Sequence, residues 1–210
     1  NLWSQKEDKW KFNKACESFD LLNIFYPENI VNGCGPNGWF SSTPYGTIDL
    51  LPIEAPIDVM NQYKAMIFLG WNTFDENDFD RIRNYVYNGG TLLLSAVHLN
   101  SELQPDLPVK FPTNDLIIRE MLGDNYQSLN EKTEKSFGYG KIIYFPQKAY
   151  PAEDILIKEY KNTIQNIAEN TIQNEPSKGW IKASKSVGFT VWDDSKNRRT
   201  LYLLNTDWES

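Results

Sequence analysis

The sequence predicts an α/β domain in which helices cover both faces of a mainly parallel sheet. Two continuous apolar runs, residues 65–70 and 91–97, are typical of strands that are buried on both faces. Between them, a capping box at residues 73–76 opens a predicted helix, and Gly89-Gly90 ends it. Because strands that alternate with helices over short links pair in parallel, we expect right-handed crossovers and a three-layer arrangement.

Further elements extend this pattern toward both ends of the chain. In chain order, they are a helix at 5–26, a strand at 47–52, a short helix at 56–63, a helical patch at 116–122, a strand at 141–145, a long helix at 152–172 and strands at 179–181, 187–193 and 200–205. The stretch 100–136 is otherwise expected to be irregular. The last two strands flank turn residues at 194–197 and predict an antiparallel hairpin. We therefore expect an α/β domain over residues 1–172, followed by a β hairpin or the start of a β-sandwich over 173–210.

The composition is that of an acidic globular protein. The 210 residues carry a formal net charge of −7, which argues against nucleic acid as a partner because phosphate contacts need clustered Lys and Arg. No apolar stretch approaches the roughly 18 residues of a membrane span, so no membrane partner is expected.

The two cysteines, Cys16 and Cys34, match neither a disulfide scaffold nor a metal motif, and no cofactor is expected. Since the first residue is Asn1 rather than Met, we expect a processed or excised piece, and the compartment stays open.

Two segments of the chain resemble a known family. Residues 64–72 read Lys-Ala-Met-Ile-Phe-Leu-Gly-Trp-Asn, and residues 85–95 read Tyr-Val-Tyr-Asn-Gly-Gly-Thr-Leu-Leu-Leu-Ser. This order of strand, acidic helix, Tyr-Val-x-x-Gly-Gly-Thr-Leu and strand resembles the core of class I glutamine amidotransferase-like domains. Within that family it is most similar to the trimerisation domain of family 42 β-galactosidases. The resemblance is good over residues 45–100, extends to 137–172 and implies a flavodoxin-like fold.

The resemblance also implies a biological setting for the chain. Such modules belong to multidomain bacterial carbohydrate-active proteins, so the implied partners are a carbohydrate, the catalytic domain of the parent protein or further copies of the chain. The implied location is the periplasm or the extracellular space. Because a fold signature carries no chemistry by itself, the implied role is an accessory one, in assembly or in completing a neighbouring active site.

The catalytic residues of an active amidotransferase are missing at the matching positions. The family places a Cys nucleophile in a tight Gly-x-Cys-x-Gly turn after the strand that corresponds to residues 91–97, with a His and a Glu further on. Here residues 94–99 read Leu-Ser-Ala-Val-His-Leu, without a Cys or flanking glycines, and His98 is the only histidine of the chain. The resemblance therefore implies the scaffold of this family without its triad.

Ser95 and His98 form one remaining candidate pair. As a functional pair, His98 would act as a base at the carboxyl end of a strand, where open α/β sheets bind ligands. As structural residues, the two would end a strand, and a lone histidine without a placed partner favours this interpretation. Cys34 is a further candidate, either as a reactive thiol or as an ordinary loop residue. Because no basic residue lies within ten positions to lower its pKa, the loop interpretation is favoured.

Acidic and aromatic side chains near the predicted strand ends support an alternative function. The acidic candidates are Glu54, Asp75, Glu76 and Glu102. The candidate sugar-binding residues are Trp39, Phe40, Tyr45, Trp71 and Asn72, together with His98. Two carboxylates about 5.5 Å apart perform glycoside chemistry, and aromatic rings stack on sugars. The alternative is therefore a carbohydrate-binding or glycoside-hydrolysing domain. Against it, the acids suit the first turns of helices, and the rings suit a core or a subunit contact.

Overall fold

The structure, a computed structural model, describes several stretches of the chain. They are residues 12–25, 48–70, 76–101, 108–173, 187–193 and 199–205. The chain divides into two compact units. Unit 1 contains Asn1–Leu21 and Leu51–Ile164, and unit 2 contains Leu22–Leu50 and Gln165–Ser210.

The described residues form five α-helices, six strands and three short 3₁₀ helices. The α-helices are α1 (Phe12–Glu17), α2 (Ile57–Met60), α3 (Glu76–Tyr87), α4 (Leu116–Leu122) and α5 (Ile157–Gln173). The strands are β1 (Ala65–Ile67), β2 (Thr91–Ser95), β3 (Thr133–Phe137), β4 (Gly140–Phe145), β5 (Val187–Asp193) and β6 (Arg199–Asn205). Short 3₁₀ helices cover Ser18–Phe25, Ala96–Leu99 and Tyr126–Ser128.

Unit 1 is built on a four-stranded sheet with the strand order β1-β2-β4-β3. β2 pairs in parallel with β1 on one side and with β4 on the other, where Leu93 lies opposite Ile143. β3 and β4 form an antiparallel hairpin in which Phe137 lies opposite Gly140. The sheet is therefore mainly parallel, and the predicted parallel pairing of the two apolar runs is confirmed.

One face of this sheet packs against α2, α3 and α4. Alternate residues of β2 and β4 point to this face, as the two-residue period of a strand requires. The buried core there contains Leu92, Leu94, Ile142 and Tyr144 of the strands and Met60, Phe79, Ile82, Val86, Ile118, Met121 and Leu122 of the helices. The predicted apolar face of α3 is confirmed, because Phe79, Ile82 and Val86 are all buried in this core.

The opposite face of the sheet packs against the first half of α5. The ring centroids of Tyr160 and Phe145 lie 5.1 Å apart, and the Tyr160 hydroxyl donates a 2.6 Å hydrogen bond to the carbonyl oxygen of Phe68. Ile164, one turn further along α5, is fully buried as well. Helices thus cover both faces of the sheet. The predicted α/β class is confirmed, and the arrangement is compatible with a flavodoxin-like fold.

The turn between α3 and β2 depends on the predicted glycine pair. Gly89 adopts a φ of 115°, in the region that favours glycine, and its N–H donates to the carbonyl oxygen of Val86 at 3.0 Å. A Cβ at Gly90 would overlap the ring of Tyr85. A Cβ at Gly140, where β4 begins, would overlap the backbone carbonyl oxygens of this turn. The glycines therefore allow β4 to start directly against the end of α3.

Two expectations about the outer strands are wrong. Residues 48–52 form no strand, because Leu50 is 65% exposed and Pro52 has no N–H to donate to a ladder. Conversely, β3 lies in the stretch 100–136 that was expected to be irregular apart from a helical patch. β3 forms the end of the described sheet, so it carries polar side chains rather than the apolar run of a central strand.

The ends of the two apolar strands also differ from expectation. The strand predicted at 65–70 ends at Ile67, and its three residues are only half-buried because β1 is the other end strand of the described sheet. The strand predicted at 91–97 ends at Ser95, where a 3₁₀ helix begins. Apolar side chains continue beyond both ends because the following turns are buried, so hydrophobicity alone overestimates the length of each strand.

In unit 2, β5 and β6 pair antiparallel along their whole length. The predicted C-terminal hairpin is therefore confirmed. The predicted strand at 179–181, the turn at 194–197 and most of the capping box at 73–76 lie outside the described residues. The predicted domain boundary after residue 172 stays a prediction.

Candidate functional site

The candidate site lies at the carboxyl end of β2. Ser95 is extended, with φ −109° and ψ 166°, and it is the N-cap of the 3₁₀ helix Ala96–Leu99. All four residues of that short helix are buried, so the chain turns inside the core rather than at the surface. The carboxyl ends of parallel strands are where open α/β sheets bind ligands. The end of β2 is therefore the place where a ligand or a reactive side chain would be expected in this sheet.

Ser95 and His98 are within hydrogen-bonding distance of each other. The backbone N–H of Ser95 donates to Nδ1 of His98 at 2.9 Å, and the Ser95 Oγ lies 3.1 Å from the same nitrogen. The Ser95 hydroxyl also donates a 2.9 Å hydrogen bond to the carbonyl oxygen of Ala149, in the loop after β4. Since a backbone N–H can only donate, Nδ1 must accept, and the neutral ring therefore carries its proton on Nε2.

His98 is enclosed by the protein. Both His98 and Ser95 have no exposed surface. The imidazole lies 5.8 Å from the ring of Phe68 and 6.2 Å from the ring of Tyr150, centroid to centroid. This burial lowers the pKa of His98 to about 4, because the charged imidazolium would lose its hydration. The backbone groups of Leu69 and Ser95 oppose the shift without overcoming it.

This geometry stabilises a turn but does not activate a nucleophile. Nδ1 has one lone pair, and it already accepts the backbone N–H of Ser95, in the manner of the Glu or Gln of a capping box. To accept the hydroxyl proton, His98 would have to give up that bond and become a buried cation. In the described part of the chain, Nε2 makes no side-chain hydrogen bond, and the groups that favour the charged ring are the backbone groups of Leu69 and Ser95 rather than a carboxylate.

The other candidates are mostly outside the described residues. This applies to Cys34, Trp39, Phe40, Tyr45, Trp71, Asn72, Asp75 and Glu102. Glu76 begins α3, but its side chain is not among those described. Glu54 is described and exposed, in the turn before α2, whose N-cap is Pro56. The proposed roles of these residues in sugar binding or glycoside chemistry stay predictions.

A polar cluster that the sequence analysis did not find lies at the start of α4. Asp115 is buried and accepts hydrogen bonds from Arg119 at 2.6 Å, from the Tyr126 hydroxyl at 3.0 Å and from Gln127 at 3.1 Å. The hydrogen bond from Arg119 holds the pKa of Asp115 below its usual value. Burial raises the pKa of Tyr126 to about 12. The four-residue spacing of Asp115 and Arg119 on one helix is the signal that could have found this pair. Because each group is partnered within the cluster, we assign it to anchoring α4.

The described residues offer neither a group of metal ligands nor a membrane-spanning helix. Among the described residues, no three His, Cys, Asp or Glu side chains come together in a group that could hold a metal ion. Within those stretches, no helix has the length and apolarity that crossing a membrane requires.

No protein family matches the chain, and no curated protein matches it in sequence.

Proposed function

We propose that the chain is a non-catalytic amidotransferase-like module of a larger carbohydrate-active protein. Its role would lie in assembly, or in completing a neighbouring active site. The observation that supports the non-catalytic part is the closed state of the Ser95–His98 pair at the end of the central strand. Both side chains are fully buried, and the hydroxyl donates to the carbonyl oxygen of Ala149.

An acyl-transfer site needs three features that this end of the sheet lacks in the described residues. The nucleophile has to be open to substrate, but Ser95 has no exposed surface. The base has to accept a proton near neutral pH, but burial lowers the pKa of His98 to about 4. The base also needs a carboxylate that orients the ring and stabilises its charge; among the described residues, the groups that favour the charged ring are the uncharged backbone groups of Leu69 and Ser95.

Active-site labelling tests the non-catalytic part of this proposal. A fluorophosphonate probe reacts with activated serine hydroxyls, so we expect no adduct on Ser95 after prolonged incubation of the folded chain. We also expect no release of ammonia from glutamine above the rate of a Ser95→Ala variant. An adduct on Ser95 in the folded protein, or glutaminase activity that this variant loses, would overturn the proposal.

Sedimentation velocity tests the role in assembly. We expect the full chain to associate reversibly as its concentration rises, with an increase of the weight-average sedimentation coefficient. A chain that stays monomeric up to the highest soluble concentration would contradict self-assembly. In that case, the remaining role would be the completion of a neighbouring site.

Carbohydrate binding is the second candidate, and one surface feature favours it. Tyr139 is 88% exposed at the β3–β4 turn, and its ring centroid lies 6.3 Å from that of the half-exposed Tyr87. Beside them, the Arg83 guanidinium forms a two-point ion pair with Glu120 and lies 6.0 Å from the Tyr87 ring centroid. Exposed aromatic rings next to planar polar groups suit the faces and hydroxyls of sugars. Calorimetric titration with a panel of oligosaccharides should show binding that a Tyr139→Ala variant loses; absence of heat across the panel would reject this candidate.

A further inference from the structure

The outer edge of β3 is open among the described strands. β3 is the last strand in the order β1-β2-β4-β3, and its only described partner is β4. The two-residue turn that joins Phe137 to Gly140 makes these two residues a hydrogen-bonded pair. Because pairing alternates along an antiparallel ladder, Thr133 and Lys135 also bond toward β4. The N–H and C=O groups of Glu134 therefore point outward, where a further strand could pair.

The order of charges along this edge lets two antiparallel copies of the segment place opposite charges against each other. Residues 131–135 read Glu-Lys-Thr-Glu-Lys. When a second copy runs antiparallel with Thr133 opposite Thr133, Lys132 lies opposite Glu134 and Lys135 lies opposite Glu131. Opposite charges then face each other on both sides of the central pair, and each combination occurs twice because of the symmetry.

We propose that a second copy of this chain pairs antiparallel with the β3 edge about a two-fold axis at Thr133. The inference rests on the assembly role proposed above and specifies its surface. The backbone ladder consists of hydrogen bonds between Lys132 of one copy and Glu134 of the other, in both directions. The two Thr133 side chains meet in the closer, non-hydrogen-bonded position. Because the chain bends at Glu131, that residue takes part through its side chain.

The local charges select this register over its neighbours. Moving the second strand by two residues would set Glu134 opposite itself in one direction and Lys132 opposite itself in the other. A two-fold axis at Lys135 would set two lysines opposite each other. Like charges that face each other directly destabilise a strand pair. Charged edge residues often protect a strand from pairing, but here their order leaves one attractive register.

The ion pairs that Lys132 and Glu134 already make within one chain do not prevent them from pairing with a second copy. Within one chain, Lys132 and Glu134 lie 3.3 Å apart, and Glu134 lies 4.0 Å from Lys141. All of these side chains keep more than a third of their surface exposed. Surface pairs of this kind contribute little to the stability of the fold, so they can re-form between two copies at small cost. The Lys135 ammonium already donates a 2.6 Å hydrogen bond to the carbonyl oxygen of Leu122, so the attraction between the copies depends chiefly on the two Lys132–Glu134 pairs.

Charge reversal at the edge tests the proposal by sedimentation equilibrium of the full chain. We expect Glu134→Lys and Lys132→Glu, each alone, to raise the dimer dissociation constant by about tenfold or more, because each sets like charges opposite each other twice. The double variant K132E/E134K has the composition and net charge of the natural chain. It restores both opposite-charge pairs and should restore dimerisation.

A matched control separates the specific effect from the change of net charge. Glu169→Lys makes the same charge change as Glu134→Lys, but on an exposed residue of α5, and we expect it to leave the dissociation constant unchanged. Single variants that dimerise like the natural chain, or a double variant that stays dissociated, would overturn the β3 pairing while leaving assembly intact. A natural chain that is monomeric at every concentration would overturn both the pairing and the assembly role. Far-UV circular dichroism melts verify that each variant is folded.

Discussion

The buried histidine makes the stability of unit 1 depend on pH in a predictable direction. The pKa of a histidine is about 6.5 in an unfolded chain, whereas burial lowers the pKa of His98 to about 4 in the folded protein. Between these values the unfolded chain binds the proton more tightly than the folded one. The stabilisation that comes from keeping His98 neutral is therefore complete above about pH 6.5 and decreases as the pH falls toward 4. Below pH 4, protonation of His98 causes no further loss.

The size of this effect follows from the two pKa values. The full difference corresponds to about 3 kcal/mol, of which about 2 kcal/mol is lost between pH 7.5 and pH 5. Because His98 is the only histidine, no other side chain of ordinary pKa titrates in that interval. His98→Gln replaces it with a group that does not titrate, and the Gln side-chain oxygen can accept the Ser95 N–H at the same capping position.

Urea denaturation followed by far-UV circular dichroism measures the effect. We expect the free energy of unfolding of the natural chain to fall by about 2 kcal/mol from pH 7.5 to pH 5. The His98→Gln variant should lose much less over the same interval. Equal pH dependence in the two proteins would refute the reasoning, because the titrating group would then not be His98. A flat profile in the natural chain would mean that the ring is not buried as described.

Three further substitutions test the contacts that hold the sheet in place, each by the same urea titration. Ser95→Ala should destabilise the fold by about 1–3 kcal/mol, because the buried carbonyl oxygen of Ala149 loses its donor; a neutral effect would contradict the structural role. Tyr160→Phe should cost about 1 kcal/mol through the lost hydrogen bond to Phe68, and a loss below the error of the titration would mean that this bond is weak. Gly140→Ala should cost about 1–3 kcal/mol, since its Cβ would overlap two backbone carbonyl oxygens, and an unchanged midpoint would contradict the tight turn.

The central part of the fold was predictable because local pattern and tertiary packing agree there. The apolar run that became β2 is buried on both faces, and the apolar positions of α3 fall on the face that packs against it. Gly89-Gly90 marked the end of α3 because its left-handed turn suits glycine. In these elements the hydrophobic pattern of the sequence matches the burial of the side chains, so the pattern alone predicts the element.

The outer parts of the sheet were less predictable, because their residues are not selected for burial. β3 carries Glu134, Lys135 and Ser136, and three consecutive polar residues are typical of a loop. The pattern therefore does not predict a strand when its partner strand is unknown. Leu50 belongs to an apolar run that resembles a strand, although the side chain is exposed and no strand forms there. Edge strands depend on their neighbours rather than on their own hydrophobicity, so single-sequence patterns miss them.

The candidate site was predictable in its residues but not in its geometry. The sequence identified Ser95 and His98 at the end of a central strand. It could not indicate that the strand would end at Ser95 or that the 3₁₀ turn would bring the ring back onto the Ser95 N–H. The contact between the Ser95 hydroxyl and Ala149 spans 54 residues along the chain, and no local pattern encodes it.

The protonation state of the one imidazole tests the central claim most directly. Nitrogen-15 NMR of the folded chain, labelled on histidine, reports which ring nitrogen carries the proton and at which pH the ring ionises. We predict a neutral ring that is protonated on Nε2, with Nδ1 as an acceptor, and no ionisation until the pH approaches 4. A ring that is protonated on Nδ1, or that titrates near the ordinary pKa of histidine, would show that His98 is available as a base and would contradict the account.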